Sequence, residues 1–168
     1  MTRYRRTLAD ETDPAERGAG LREWGSGEAT IASAVLVGQE GGERLQFLSG
    51  EPFALRVAVA AADGVPPPRL QLELRDDAGT LVAGEAVDLR ELGWSPGSGE
   101  HAIRFAIGAL PLAEGRFHLR LGLTDEGGER LYHWLDDALV FVVYPGGEER
   151  GVVRFEGSWT IEEKSGTR

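Results

Sequence analysis

The chain has 168 residues, 41% hydrophobic and 27% charged, which suits one globular domain able to bury a core without disulfides or structural metal. A formal net charge of −10 argues against nucleic acid and anionic membrane surfaces as partners, and the absence of cysteine excludes thiolate chemistry and cysteine–zinc clusters. With 24 Gly and 8 Pro spread between apolar runs, none of them long enough to span a membrane, the composition predicts many turns joining short strands.

Residues 1–26 are polar and carry Asp13-Pro14, Gly18, Gly20 and Gly25. They predict a weakly helical or frayed tether in which Tyr4 and Leu8 share a helix face, with order beginning near Trp24. Strands follow. "EATIASAVLV" (28–37) is β-compatible, and "FALRVAVAA" (53–61) sets Phe53, Leu55, Val57 and Val59 on one face with Arg56 on the other. "RLQLELRD" (69–76) points Leu70, Leu72 and Leu74 one way and Gln71, Glu73 and Arg75 the other. A turn around Gly79 leads into a return strand over 80–89, and "HAIRFAI" (101–107) alternates through Ile103, Phe105 and Ile107. In "RFHLRLGLTD" (116–125), Phe117, Leu119, Leu121 and Leu123 face inward while Arg116, His118 and Arg120 face out. A Gly-Gly turn over 126–129 precedes "RLYHWLDD" (130–137). The continuously apolar "ALVFVVYP" (138–145) comes next, and "GVVRFEGSW" (151–159) is read as the closing strand. Period-two alternation with a turn every ten or so residues predicts an all-β antiparallel sandwich. In the apolar strand, Leu139, Phe141 and Val143 point inward. Val140, Val142 and Tyr144 then point outward, which predicts cover by a partner, a ligand or a loop.

The catalytic inventory is thin. There is no GxxxxGK[ST] phosphate loop and no GxSxG elbow, and the three histidines are His101, His118 and His133. "RLYHWLDD" is compatible with a metal site, an acid/base site or a sugar platform. On a regular strand, however, Leu131, His133 and Leu135 share one face while Tyr132, Trp134 and Asp136 share the other, so His133 and Asp136 diverge. No HxH or HxxxH pair supplies further ligands, so no metal and no cofactor are expected. The plain alternative is that Trp134 or Leu131 anchors the core while Asp136 and Asp137 form a turn or bulge. The outward row of Gln71, Glu73 and Arg75 with His118 and Arg120 has the planar hydrogen-bonding groups that sugars need. Val140, Val142 or an aromatic would supply a flat apolar neighbour, against the alternative of a plain solvated sheet face. Trp94 is expected to be exposed or to anchor its loop, and Trp159 to pack.

The order of these pieces resembles a family. From Gly25 the chain reads "GSGEATIASAVLV", "FLSGEPFALRVAV", "LELRDDAGTLVAG", "GEHAIRFAIGALPLAEGRFHLRLGL", "LYHWLDDALVFVV" and "GVVRFEGSW". The ordered set, from Gly25–Gly27 through Ser49–Glu51, Asp77–Gly79, "LPLAEGRF" and Trp134 to Gly151 and Trp159, is similar to the C-terminal carbohydrate-binding domain of the Wzt-type ATPase subunit of ABC transporters that export O-antigen polysaccharides. The resemblance implies an immunoglobulin-like sandwich over 24–161. Residues 1–23 would be a connector at the end of an ATPase domain, and 162–168 a disordered tail. It implies a non-catalytic domain that recognises a completed, terminally modified glycan, on the cytoplasmic side of the membrane and attached to the transporter's membrane subunit through the ATPase. It also implies a homodimer that exchanges the C-terminal strand 151–159 between protomers. A structural dimerisation module without glycan binding is the alternative. The resemblance carries no site residue, so the candidate glycan contacts remain those of the sheet face.

Overall fold

The computed structural model describes residues 4–5, 22–95 and 99–162. Among them, ten strands form two sheets that face each other. The first sheet has the order β1 (Tyr4–Arg5), β3 (Ala29–Val37), β5 (Phe53–Ala61), β8 (Glu100–Ile107). The second has the order β2 (Arg22–Trp24), β10 (Leu131–Tyr144), β9 (Gly115–Thr124), β6 (Arg69–Asp76), β7 (Leu81–Asp88). Strand β4 (Gln46–Leu48) runs parallel to the last residues of β10, and a short 3-10 turn over Leu89–Leu92 is capped by the Asp88 carboxylate. This is the expected immunoglobulin-like antiparallel β-sandwich, with one parallel pair added.

The alternation read in the sequence builds the core. Leu55, Val57 and Val59 of β5 and Phe117, Leu119, Leu121 and Leu123 of β9 are buried between the sheets. Four rings, Phe47, Phe53, Phe117 and Phe141, meet with centroids 5.0–6.1 Å apart, so the short β4 is tied in through Phe47. Each such ring contributes ~1.5–3 kcal/mol by leaving water. The loop into β4 is held by Arg44, which donates to the Glu51 carboxylate (2.6 Å) and the Gln46 carbonyl (2.9 Å). Partial burial pushes the Glu51 pKa up, but the bonds from Arg44 and the Leu48 N–H outweigh it, leaving Glu51 below its ordinary 4.5.

One side of the sandwich is closed and the other is open. Strands β2 and β4 pair with the outer edge of β10. On the opposite side β7 and β8 diverge, leaving adjoining apolar clefts of about 190 and 220 Å3 that share Leu55, Leu72 and Phe105. Glu85 lies in both clefts, on the inward row of the edge strand β7, where a charge discourages further strand addition.

Several expectations are corrected. Tyr4 lies in a strand paired with Ala34, not in a helix, and the next described strand, Arg22–Trp24, ends at the expected Trp24. Leu8 and the tail after 162 lie outside the described residues. "RLYHWLDD" and "ALVFVVYP" form one strand, not two, because the bulge within it bends the chain without ending its pairing. Residues 151–159 form no strand: Val153 makes one bridge to Leu112, and Phe155 and Trp159 beyond it are 91% and 100% exposed. Trp159 therefore does not pack, since no strand edge of this single chain lies against it.

Candidate functional site

Strands β6 and β9 are antiparallel neighbours, with Gln71 opposite Gly122, Glu73 opposite Arg120 and Arg75 opposite His118. Strand β10 flanks β9 on its other side, with Val140 opposite His118 and Val142 opposite Arg116. The seven residues singled out from the sequence therefore share the outer face of the second sheet. The charged ones among them are held by ion pairs. Glu73 accepts from Arg75 (2.9 Å) and lies 3.8 Å from Arg120, whose Nε donates to Asp136 (2.9 Å). Arg75 also donates to the Gly79 carbonyl (2.8 Å), which fixes its fork. Gln71 makes no side-chain hydrogen bond among the described residues. Val140 and Val142 are half-buried, and Tyr144 stands exposed beside Leu48.

The bulge in β10 is what brings the two aspartates onto this face. Between Leu135 and Leu139 the strand advances four residues while β9 advances two, from Leu121 to Leu119. Asp137 absorbs the excess at φ 51°, a left-handed conformation that aspartate tolerates better than most residues. Asp136 then reaches Arg120, and Asp137 reaches His118 Nδ1 (3.1 Å). His118 Nε2 lies 2.7 Å from Asp77 in the β6–β7 turn, so each ring nitrogen faces a carboxylate. A doubly protonated ring donates to both, and a neutral ring to one.

Sequence reasoning left an aromatic neighbour open without identifying it, and read Trp134 as a core anchor. Trp134 does not anchor the core. It lies on the outer side, with its six-membered ring where a Gly122 side chain would be: a Cβ there would sit 2.3 Å from Trp134 Cε3. Trp24 stands beside it, ring centroids 6.4 Å apart at 41°, and is 48% exposed. The indole N–H of Trp134 donates to Asp136 Oδ1 (3.1 Å), the oxygen that also takes Arg120. The usable sequence signal was Gly122, a glycine between two core leucines in mid-strand, which marks a close approach from above.

His133 is structural. Its Nδ1 accepts the Ile31 N–H (2.9 Å), so Nε2 carries the proton and donates to Glu23 (2.9 Å). One imidazole thus links β10 to β3 of the other sheet and to β2. Tyr132 is buried as well, because the register slips between Leu131 and His133. The β2–β3 connection lies against this slip: Ser26 and Gly27 N–H groups donate to the Leu131 and Tyr132 carbonyls, and a Cβ on Gly25 would fall 2.5 Å from the Tyr132 oxygen. Trp94 anchors its loop by stacking on His101 at 3.9 Å. Among the described residues no group of three or more His, Asp or Glu is placed to hold a metal ion, and no helix is long and apolar enough to cross a membrane.

A family profile for the Wzt C-terminal domain matches residues 21–155. A solved structure described as the C-terminal domain of wzt superposes with a TM-score of 0.72 at 14% identity, covering 91% of this chain and 98% of that one. Weaker likenesses are to the CARDB domain of a Pyrococcus furiosus protein, solved with di-metal ions (TM-score 0.42, 13% identity, 71% of this chain and 96% of that one), and to a Niemann-Pick type C2 protein from Japanese carpenter ant (0.47, 7%, 73% and 98%). No curated protein sequence matches the chain.

Proposed function

The chain belongs to the Wzt C-terminal domain family, and from that premise we propose that it is a non-catalytic module that recognises a completed, terminally modified O-antigen-type polysaccharide for export by an ABC transporter. The observation that carries this reading is the pre-ordered polar ladder on the outer sheet face, in which Arg120 is held between Asp136 and Glu73. Sugars are bound by planar donors and acceptors set beside apolar surface, and side chains already fixed by one another lose little freedom on binding. The module would act at the cytoplasmic side of the membrane, joined to the membrane subunit through an attached ATPase domain. Weak binding at each site would suffice there, because dimerisation raises the effective concentration.

The C-terminal segment supports a homodimer. Beyond the Leu112–Val153 bridge, Phe155, Trp159 and Ile161 are 91–100% exposed. Large apolar side chains in that state suit a segment that docks on a second copy. The same feature favours the second reading, a dimerisation module without glycan affinity. Calorimetric titration of the source organism's purified polysaccharide into the protein separates the two. Glycan recognition predicts saturable heat that Glu73→Gln diminishes, whereas a dimer that gives no heat with any form of the polysaccharide refutes recognition and leaves the dimerisation module.

A further inference from the structure

The aromatic end of the outer face bears on which sugars it takes. Trp134 is seated on Gly122, held through its N–H by Asp136, and flanked by the half-exposed Trp24. A tryptophan above a glycine, with a second tryptophan tilted beside it, leaves an apolar aromatic surface at the level of the polar ladder. We infer that Trp134 and Trp24 form a stacking subsite for one uncharged pyranose ring, whose hydroxyls are taken by the adjoining Asp136, Arg120 and Glu73. The inference rests on the glycan reading above and adds the class of sugar and the residues that select it.

Two arguments support the class. A pyranose has one face of C–H groups, which matches the negative face of an indole, while its hydroxyls leave the ring edge in pairs that suit a fork of donors and acceptors. Asp136 uses one oxygen for both the Trp134 N–H and Arg120, so acceptor capacity remains on the other oxygen right at the edge of the indole. Stacking and hydrogen bonding are therefore joined through one carboxylate, which fixes the distance between them.

The second argument is charge. Around the ladder Arg22, Arg75, Arg116 and Arg120 stand against Glu73, Asp77, Asp136 and Asp137, four cations and four anions, with Arg22 opposite Asp136 in the β2–β10 register. Arg75, Arg116 and Arg120 each already lie within 3.8 Å of a carboxylate, and the whole chain carries −10. A uronate or a phosphorylated sugar held by Arg75, Arg116 or Arg120 would have to take that arginine from its partner and leave a carboxylate unpaired. A neutral ring needs only to share the bonds already formed.

The test uses the full chain. Methyl glycosides of glucose, mannose, galactose and rhamnose, with methyl glucuronide as the anionic probe, are titrated while the indole N–H resonances are followed by NMR. The polysaccharide is titrated by calorimetry into the parent, Trp134→Ala, Gly122→Ala and Trp24→Ala proteins. At least one neutral glycoside should shift the Trp134 indole resonance, and glucuronide at equal concentration should not. Trp134→Ala should weaken polysaccharide binding about tenfold, by loss of one stacked contact and its hydrogen-bond link. Gly122→Ala should do the same with the tryptophan still present, by lifting it from its seat. Trp24→Ala, on a half-exposed side chain, guards against a folding defect in the other two and should weaken binding by a smaller factor. Unchanged affinity in all three variants overturns the subsite but leaves glycan recognition standing. Glucuronide binding as well as the neutral probes, or no Trp134 shift with any neutral probe, overturns the selectivity. A parent protein that fails to bind the polysaccharide overturns the underlying reading itself.

Discussion

Replacing His133 with leucine isolates the link between the two sheets. Ile31 is buried at a point where the β3–β5 register shifts, and its N–H is taken by the imidazole rather than by β5. Leucine fills similar space but removes the acceptor, and an orphaned buried N–H costs ~1–3 kcal/mol. The lost bond to Glu23, which is partly exposed to solvent, adds ~0.5–1 kcal/mol. The expected loss is therefore ~1.5–4 kcal/mol, or roughly 3–16 °C in Tm for a domain of this size. His133→Asn is the informative control. Its amide oxygen lies where Nδ1 does and can still accept from Ile31, so about 1 kcal/mol should be lost, chiefly through Glu23. Urea unfolding of the three proteins gives the free energies, and amide exchange at Ile31 reports the bond directly, faster in the leucine variant than in the asparagine variant. A leucine variant as stable as the parent, or indistinguishable from the asparagine variant, would refute the bridging role.

Glu51 gives a pH prediction. Its folded pKa lies below its ordinary 4.5, so its contribution is fully present above that value and is lost as pH falls through the lowered one. Glu51→Gln should flatten the acid limb of the stability profile, measured by thermal melts between pH 3 and 6 (about the range where carboxylates titrate), and an unchanged limb contradicts it. Asp137→Ala keeps the left-handed φ but loses the His118 contact, and should destabilise by ~1–2 kcal/mol in urea unfolding, with Asp137→Gly milder because glycine tolerates that φ. Ending the chain after Val153 should convert a dimer to a monomer in light scattering, and a parent protein that is itself monomeric contradicts strand exchange.

Much of this fold can be read from the chain because one buried face per strand makes register visible. The alternation in 53–61 and 69–76 gives those strands to the residue, and it places Gln71, Glu73 and Arg75 on the same face as His118 and Arg120 once β6 and β9 pair. Period two fails where strands bulge. The slips around Tyr132 and Asp136–Ala138 change which residues lie inward there, whereas Trp134 reads as core from its residue type although alternation with the buried His133 and Leu135 puts it on the outer face. Strand β4 has only three residues and no period to detect, and its position depends on Phe47 meeting the rings of Phe53 and Phe141. "GVVRFEGSW" has strand composition but no partner within one chain, a distinction that local pattern does not encode. The role of His133 depends on a backbone N–H more than 100 residues away.

A crystal structure of the protein with an oligosaccharide from the non-reducing end of the polysaccharide tests the central claim most directly. A terminal pyranose should lie over Trp134, with hydroxyls on Asp136 and Arg120 and the following sugars running along the outer faces of β9 and β6. A glycan found in the apolar clefts between β7 and β8, or on the outer face of the other sheet, would contradict it.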